Sequence, residues 1–149
     1  MTAALAKRNL LGLGLSLFAG LSAFPAFAGS ITVAVEDLPS GAGTVGCALF
    51  DNPAGFPGNQ GAVETQTIAA DASPVSCFFK NLPAGRYAVA VSHDENANGQ
   101  QDTNLLGIPK EAWGVSNNAR PRFRAPRFDE AAFDLKRNEK VQIDISVAR

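Results

Sequence analysis

The chain is poor in the side chains that bind transition metals. Its 149 residues include one histidine, His93, and two cysteines, Cys47 and Cys77. A zinc site takes several such ligands, so zinc is excluded if the two cysteines are paired. Any mechanism that needs an imidazole must also depend on His93. The run Ser92-His93-Asp94 is not a catalytic triad, because consecutive strand residues point to opposite faces.

Long apolar runs are missing from the chain after its first 28 residues. Lys7 and Arg8 form a basic start, an apolar stretch runs from Leu10 to Leu21, and Ala26-Phe27-Ala28 has the form that signal peptidase cuts. We predict a cleaved signal peptide over residues 1–28 and one domain over residues 29–149. The expected location is the periplasm or the secreted fraction, and the alternative is an uncleaved membrane anchor. No later segment predicts a transmembrane span.

An excess of positive charge is also missing. Without Lys7 and Arg8 the exported chain has 11 basic residues against 14 acidic ones, a net charge of about −3. This balance does not suggest nucleic acid as a partner.

Helical periodicity does not extend beyond two turns anywhere in the exported part, whereas alternation of apolar and polar residues is frequent. Several short strands separated by turns predict an all-β fold, an antiparallel β-sandwich of about seven strands with one long loop excursion from residue 94 to residue 126. Asp129 to Leu135 is either a short strand or one helical turn. The expected strands lie near residues 31–35, 45–50, 63–68, 75–79, 87–91 and 141–147.

The two cysteines each lie in an apolar alternation, Val45/Cys47/Leu49 and Val75/Cys77/Phe79. Both thiols are therefore expected to point inward, and an exported protein meets an oxidising compartment. We predict a disulfide between Cys47 and Cys77. Two buried free thiols are the alternative.

The segment from residue 94 to residue 102 repeats oxygen-bearing side chains at the spacing of a calcium loop, with Gly99 at the sharp bend. Leu105 stands where a bidentate glutamate usually closes such a loop, and Glu111 can replace it only by folding back. The predicted cofactor is a weakly bound Ca²⁺, and a plain Asx-rich turn is the alternative. The predicted ligands are side-chain oxygens of Asp94, Asn96, Asn98 and Asp102, the backbone carbonyl of Gln100, and Glu111.

The rest of the excursion contains further candidate binding residues. Arg120, Arg122, Arg124 and Arg127 form a candidate anion-binding segment, although they can equally pair with nearby acids or stack on Trp113. Trp113 and Asn117, with His93, are candidate ligand-contacting residues. Trp113 can instead plug the open end of the sandwich, and His93 can be a structural hydrogen-bonding residue.

Three motifs occur in an order that resembles a known family. They are residues 82–91 (LPAGRYAVAV), 93–99 (HDENANG) and 107–118 (GIPKEAWGVSNN). Together they resemble domain of unknown function 2141, a family of secreted bacterial proteins, which implies a small exported β-sandwich without an established activity. The 82–91 region is also similar to prealbumin-like modules of adhesins, within the immunoglobulin-like or prealbumin-like sandwich type. That resemblance implies calcium ligands at Asp94, Asn96, Asn98, Gln100 and Asp102.

Taken together, these features predict a non-enzymatic exported module, a monomer whose calcium loop orders a binding or docking face. The expected partner is an envelope component or an anionic ligand of unknown identity. The alternative function is an envelope-associated enzyme or enzyme accessory that uses His93 and the neighbouring carboxylates.

Overall fold

The computed structural model describes residues 29–58, 60–72, 74–100, 102–106 and 109–149. The predicted signal peptide lies outside these residues. Eight strands and one short helix, α1 (Phe128–Ala131), make up the regular structure, together with a 3-10 turn at Ser116–Asn118. The strands are β1 (Gly29–Glu36), β2 (Thr44–Phe50), β3 (Glu64–Ala69), β4 (Ser76–Leu82), β5 (Gly85–Asp94), β6 (Trp113–Val115), β7 (Phe133–Leu135) and β8 (Lys140–Ser146).

The strands form two sheets that pack face to face as an all-β sandwich. The smaller sheet has the order β4-β1-β8, and the larger has the order β3-β2-β5-β6 with β7 on the first part of β5. Most neighbours are antiparallel, as predicted, but β1 and β8 are parallel, with Val33 opposite Ile143. Apolar–polar alternation indicates which face of a strand is buried, and the pattern is the same in parallel and antiparallel pairs. The sequence therefore could not predict that β1 and β8 run parallel.

The main core lies between the two sheets. The smaller sheet contributes Ile31, Val33 and Phe79, which are fully buried, and the larger sheet contributes Leu49 and Val89. These residues alternate with more exposed ones along their strands, which is the pattern that a two-layer sandwich requires. The long excursion also contributes to this core, through the fully buried Ala112.

The predicted disulfide joins the two sheets. Cys47 in β2 and Cys77 in β4 are bonded, with their Cα atoms 6.5 Å apart, and both residues are buried in the main core. The bond ties a 30-residue separation in the chain. It therefore restrains the unfolded chain as well as linking the two layers of the native one.

A second apolar cluster covers the outer face of the larger sheet. Phe50 packs edge-to-face on Phe56, and Phe56 packs in the same way on Phe128 of α1, with ring centroids 5.2 Å and 6.0 Å apart. The segment around α1 thus forms a cover over the larger sheet, and Ser116 joins the two. Its buried hydroxyl accepts from the Val89 amide (3.0 Å) and donates to the Ala131 carbonyl (2.6 Å). Residues 128–135 thus contain both a helical turn and a strand, the two alternatives for that segment.

Both sides of the sandwich are closed by contacts between the sheets. On one side the Gln66 amide bonds both the N–H (2.9 Å) and the carbonyl (2.5 Å) of Phe78. On the other side Trp113 and Ala148 exchange two backbone hydrogen bonds of 3.0 and 3.1 Å. Trp113 belongs to β6, so the predicted excursion is interrupted by a strand. With only three residues, β6 is too short for an alternation of apolar and polar residues to be recognised in the sequence.

No helix among the described residues is both long and apolar enough to cross a membrane.

Candidate functional site

The chain curls tightly as it leaves β5, and Asp94 organises the curl. One carboxylate oxygen of Asp94 accepts from the Asn98 amide (3.1 Å) and the other from the Gly99 amide (2.7 Å). Ala97 and Gly99 both have left-handed backbone angles, with φ of 55° and 74°. Because that conformation is easy for glycine and costly for most other residues, Gly99 is the natural residue for the bend. Position 94 is therefore the anchor of the loop.

Asp102 brings the far end of the loop back to this curl. Asn96 Nδ2 donates to one of its carboxylate oxygens (2.9 Å), and Asn98 Nδ2 donates to the other (3.2 Å). The two amide oxygens face the backbone instead, since Asn96 Oδ1 accepts from the Asn98 amide and Asn98 Oδ1 from the Gln100 amide. These hydrogen bonds join the side chains of Asp94, Asn96, Asn98 and Asp102 into one curl.

Glu111 folds back onto the same loop. Its side chain is only 5% exposed, and one carboxylate oxygen accepts from the Asp102 amide at 3.1 Å. A further backbone bond from Lys110 to the Asp102 carbonyl (2.8 Å) fixes the two ends of the loop side by side. A charged group is rarely buried without a partner. Glu111 thus lies against the backbone of Asp102, where the loop closes.

The side chains of the loop carry the kind of oxygen atoms that a hard cation binds, but the oxygens of the two asparagine amides do not face one point. Oxygens from carboxylates and amides are the ligands that Ca²⁺ takes. In this structure, however, the Asn96 and Asn98 amides direct N–H groups, not oxygens, toward Asp102. Among the described residues no three His, Cys, Asp or Glu side chains are grouped so as to hold a metal ion. Both amides would have to rotate for their oxygens to face an ion.

His93 is buried beside this loop and holds two strand ends together. It is 0% exposed, and its Nε2 donates to the Ala42 carbonyl at 2.8 Å. Its backbone N–H donates to the Ala112 carbonyl at 2.9 Å. Within the described part of the chain, Nδ1 has no hydrogen-bond partner, and it lies 3.9 Å from a Glu95 oxygen. The residue makes structural hydrogen bonds and does not open onto solvent.

Arg124 and Arg127 both lie near Glu130, whereas Arg120 has a different partner. Arg124 forms two bonds to Glu130 (2.8 and 2.6 Å), and this lowers the pKa of Glu130 to about 2 from 4.5, with further help from the Arg127 backbone N–H. The pKa of Arg124 is raised by the same hydrogen bond. Arg120 lies over the Trp113 ring, with its guanidinium carbon 4.4 Å from the ring centroid. Arg122 is exposed and contacts none of the described side chains through a polar group.

A comparison with known protein families finds a match over most of the chain. Residues 33–144 match the model of DUF2141, described as an uncharacterized protein conserved in bacteria. The chain belongs to this family. No curated protein and no solved structure matches the chain. The DUF2141 match spans the disulfide, the loop anchored by Asp94 and the arginine segment, and the family description names no activity.

Two other candidate residues of this DUF2141 chain have structural roles. Trp113 packs against the outer cluster beneath Arg120. Asn117 donates its side-chain amide to the carbonyls of Glu130 (3.3 Å) and Ala132 (3.0 Å), at the end of α1. Both side chains therefore hold the cover on the larger sheet.

The sequence did not single out Arg149, which lies next to the loop. Its guanidinium bonds both carboxylate oxygens of Glu95, at 2.8 and 2.7 Å. Residues 54 positions apart give no local signal of such a pair.

Proposed function

We propose that this DUF2141 chain is an exported, non-enzymatic β-sandwich module in which residues 94–111 bind Ca²⁺ weakly. The single observation that carries the proposal is the convergence of Asp94, Asn96, Asn98 and Asp102 at one curl, with Glu111 folded back beneath it. Four side chains with oxygen atoms are joined there on a loop that has the calcium-loop spacing, and the Glu111 carboxylate lies against the Asp102 backbone amide. The resemblance of this loop to the calcium loops of prealbumin-like modules supports the proposal.

The amide orientation explains how the loop can hold its shape without the ion. The N–H groups of Asn96 and Asn98 supply positive partial charge next to the Asp102 carboxylate. When Ca²⁺ enters, rotation of each amide replaces an N–H with an oxygen and gives Asp102 a cation in place of two weak donors. Giving up those hydrogen bonds lowers the net affinity. A dissociation constant on the order of 0.1 to 1 mM, as in extracellular calcium modules, is therefore expected.

The same loop carries the docking face. Leu105 and Leu106 are almost completely exposed just after Asp102. Exposed apolar pairs at a loop tip gain free energy when a partner covers them. A bound cation fixes the base of the loop and offsets the charge of its carboxylates, which favours contact with an anionic envelope component. Arg122, exposed in the following segment, is available to the same kind of partner.

A non-enzymatic role is supported by the position of His93. A general acid or base must come within hydrogen-bond distance of the substrate proton. The side chain of His93 is fully buried, and its Nε2 is used by the Ala42 carbonyl. The enzymatic alternative would require the backbone at Ala42 to move before Nε2 of His93 could meet a substrate.

Isothermal titration calorimetry with CaCl₂ on residues 29–149 tests the proposal. Wild type should bind one Ca²⁺ with a dissociation constant of about 0.1 to 1 mM. Asp102→Asn should weaken binding at least about tenfold, because it removes a charge at the convergence point. Asp134→Asn is the matched control, since Asp134 is an exposed aspartate in β7, and it should bind as wild type does. Equal heats for all three proteins, or none for wild type at 10 mM, would refute calcium binding.

A further inference from the structure

A cleft opens where the two sheets meet along β6 and the end of β8. Its volume is about 620 Å³, within the range of small-molecule sites. The described residues that set its character are Asp37, Pro39, Asn118, Arg120, Val147 and Arg149. None of them belongs to the loop of residues 94–111.

The backbone around this cleft is held in place on every side. A Cβ on Gly114 would lie 2.5 Å from the Ser146 carbonyl, so only glycine lets β6 approach β8 this closely. Asp37 and Asn118 both have left-handed backbone angles, with φ of 59° and 49°. Both are tied to Ser146, whose hydroxyl donates to Asp37 (2.5 Å) and whose amide donates to Asn118 Oδ1 (2.9 Å). Left-handed conformations of non-glycine residues store strain and recur at binding sites.

Arg120 is a fixed cation on the wall of the cleft. It stacks on Trp113 and donates to the carbonyls of Ala148 (3.2 Å) and Trp113. A guanidinium has five N–H groups, and these two bonds leave others available. No carboxylate among the described residues lies within 4.0 Å of it, whereas Arg124 and Arg149 each have one. A preorganised arginine that lacks an anion is well suited to take one from a ligand.

Asp37 supplies a complementary acceptor. Its Oδ2 takes the Ser146 hydroxyl, and no described residue donates to its Oδ1. A carboxylate oxygen can accept from a hydroxyl group but repels an anion. Arg120 and Asp37 together are therefore complementary to a ligand that carries an anionic group and, at a separate position, a hydroxyl.

We propose that this cleft binds a small carboxylate that also carries hydroxyl groups, of the acidic-sugar class. The carboxylate pairs with Arg120, a ring hydroxyl donates to Asp37, and the exposed apolar surface of Pro39 covers carbons of the ring. Neutral sugars leave Arg120 without an anion, and carboxylates without hydroxyls leave Asp37 unmatched. This site is separate from the proposed calcium loop and does not require it.

The test is a ¹H–¹⁵N NMR titration of residues 29–149 in EDTA with four probes: galacturonate, glucose, cyclohexanecarboxylate and inorganic phosphate. Galacturonate should shift the amides of Asn118, Ala119, Ser146 and Val147 with a dissociation constant in the millimolar range. The other three probes should bind at least about tenfold more weakly, since glucose lacks the anionic group, cyclohexanecarboxylate lacks the hydroxyls, and phosphate lacks a hydroxyl set apart from its anionic oxygens. Phosphate binding as tight as galacturonate would overturn the assignment, and so would absence of shifts at 50 mM galacturonate.

Variants separate the two recognition groups. Arg120→Gln should weaken galacturonate binding at least about tenfold, while Arg86→Gln, which changes an exposed arginine outside the cleft, should leave it unchanged. Asp37→Asn keeps an acceptor for Ser146 and tolerates the left-handed backbone, and it should narrow the preference for galacturonate over cyclohexanecarboxylate. If Arg120→Gln fails to fold, Ala119→Phe decides the matter, because it adds bulk to the cleft lining without removing a charge. Undiminished galacturonate binding in Ala119→Phe would refute the site.

Discussion

Replacing Glu111 with glutamine should separate the stability of the loop from its affinity for calcium. Glutamine has the same shape and can still accept from the Asp102 amide, which bonds the Glu111 carboxylate at 3.1 Å. In EDTA the free energy of unfolding of Glu111→Gln should therefore stay within about 1 kcal/mol of wild type. The difference between the two proteins should develop only when calcium is added.

The size of that difference follows from linkage. At 10 mM Ca²⁺ a dissociation constant of about 0.1 to 1 mM adds roughly 1.4 to 2.7 kcal/mol to the free energy of unfolding. For a domain of about 120 residues this raises Tm by roughly 6 to 11 °C. Removing one of three carboxylates is expected to weaken binding about tenfold, which reduces the rise to roughly 2 to 6 °C.

Thermal melts by circular dichroism measure the stability of each protein in EDTA and the rise in Tm that 10 mM CaCl₂ produces. Glu139→Gln is the matched control, because Glu139 also accepts from one backbone amide, that of Lys136, at 2.7 Å but lies away from the loop. The control should keep the full calcium-dependent rise. If Glu111→Gln also keeps it, Glu111 is not a ligand; if wild type has no rise, the calcium hypothesis fails as a whole.

Three other predictions concern separate parts of the molecule. Asp94→Ala should speed hydrogen exchange in the loop that follows β5 while protection in the core strands is unchanged, and global unfolding of this variant would mean that the loop is part of the core. Replacing Cys47 and Cys77 with alanine should lower the free energy of unfolding by about 3 to 4 kcal/mol, visible as a lower urea midpoint, and an unchanged midpoint would contradict the stabilising role of the bond. The Glu130 carboxyl should titrate near pH 2 by NMR; because its pKa is lowered in the folded protein, its contribution to stability is present above about pH 4.5 and is lost as the pH falls toward 2. Arg124→Gln should move that pKa back toward its ordinary value, and a pKa that does not move would show that Arg124 is not the cause.

Sequence alternation was a sufficient guide to the strands that bury one face in the main core. Val45, Cys47 and Leu49 point inward as predicted, and so the disulfide partner of Cys47 followed from the same pattern. Alternation was uninformative for β6 and β7, because a three-residue strand has no period to detect. Their positions are set by Ser116 and Asn117, whose hydrogen bonds join distant segments.

The candidate loop was predictable because its contacts are local. Asp94 bonds amides four and five residues later, and such contacts depend on spacing that the sequence displays. The cleft beside β6 and β8 was not predictable. Asp37 and Arg120 lie far apart in the chain, and only the approach of the two sheets brings them to one cavity.

Calcium binding by the loop is most directly tested by an NMR titration of residues 29–149 with CaCl₂ that follows the side-chain amides of Asn96 and Asn98 as well as the backbone. In the absence of calcium these NH₂ groups donate to Asp102. If calcium binds, both amides must turn, so their side-chain resonances and the backbone amides of Gly99 and Asp102 should shift together and saturate with one dissociation constant of about 0.1 to 1 mM. Resonances that stay in place up to 10 mM Ca²⁺ would identify the loop as an Asx-rich turn and contradict the account.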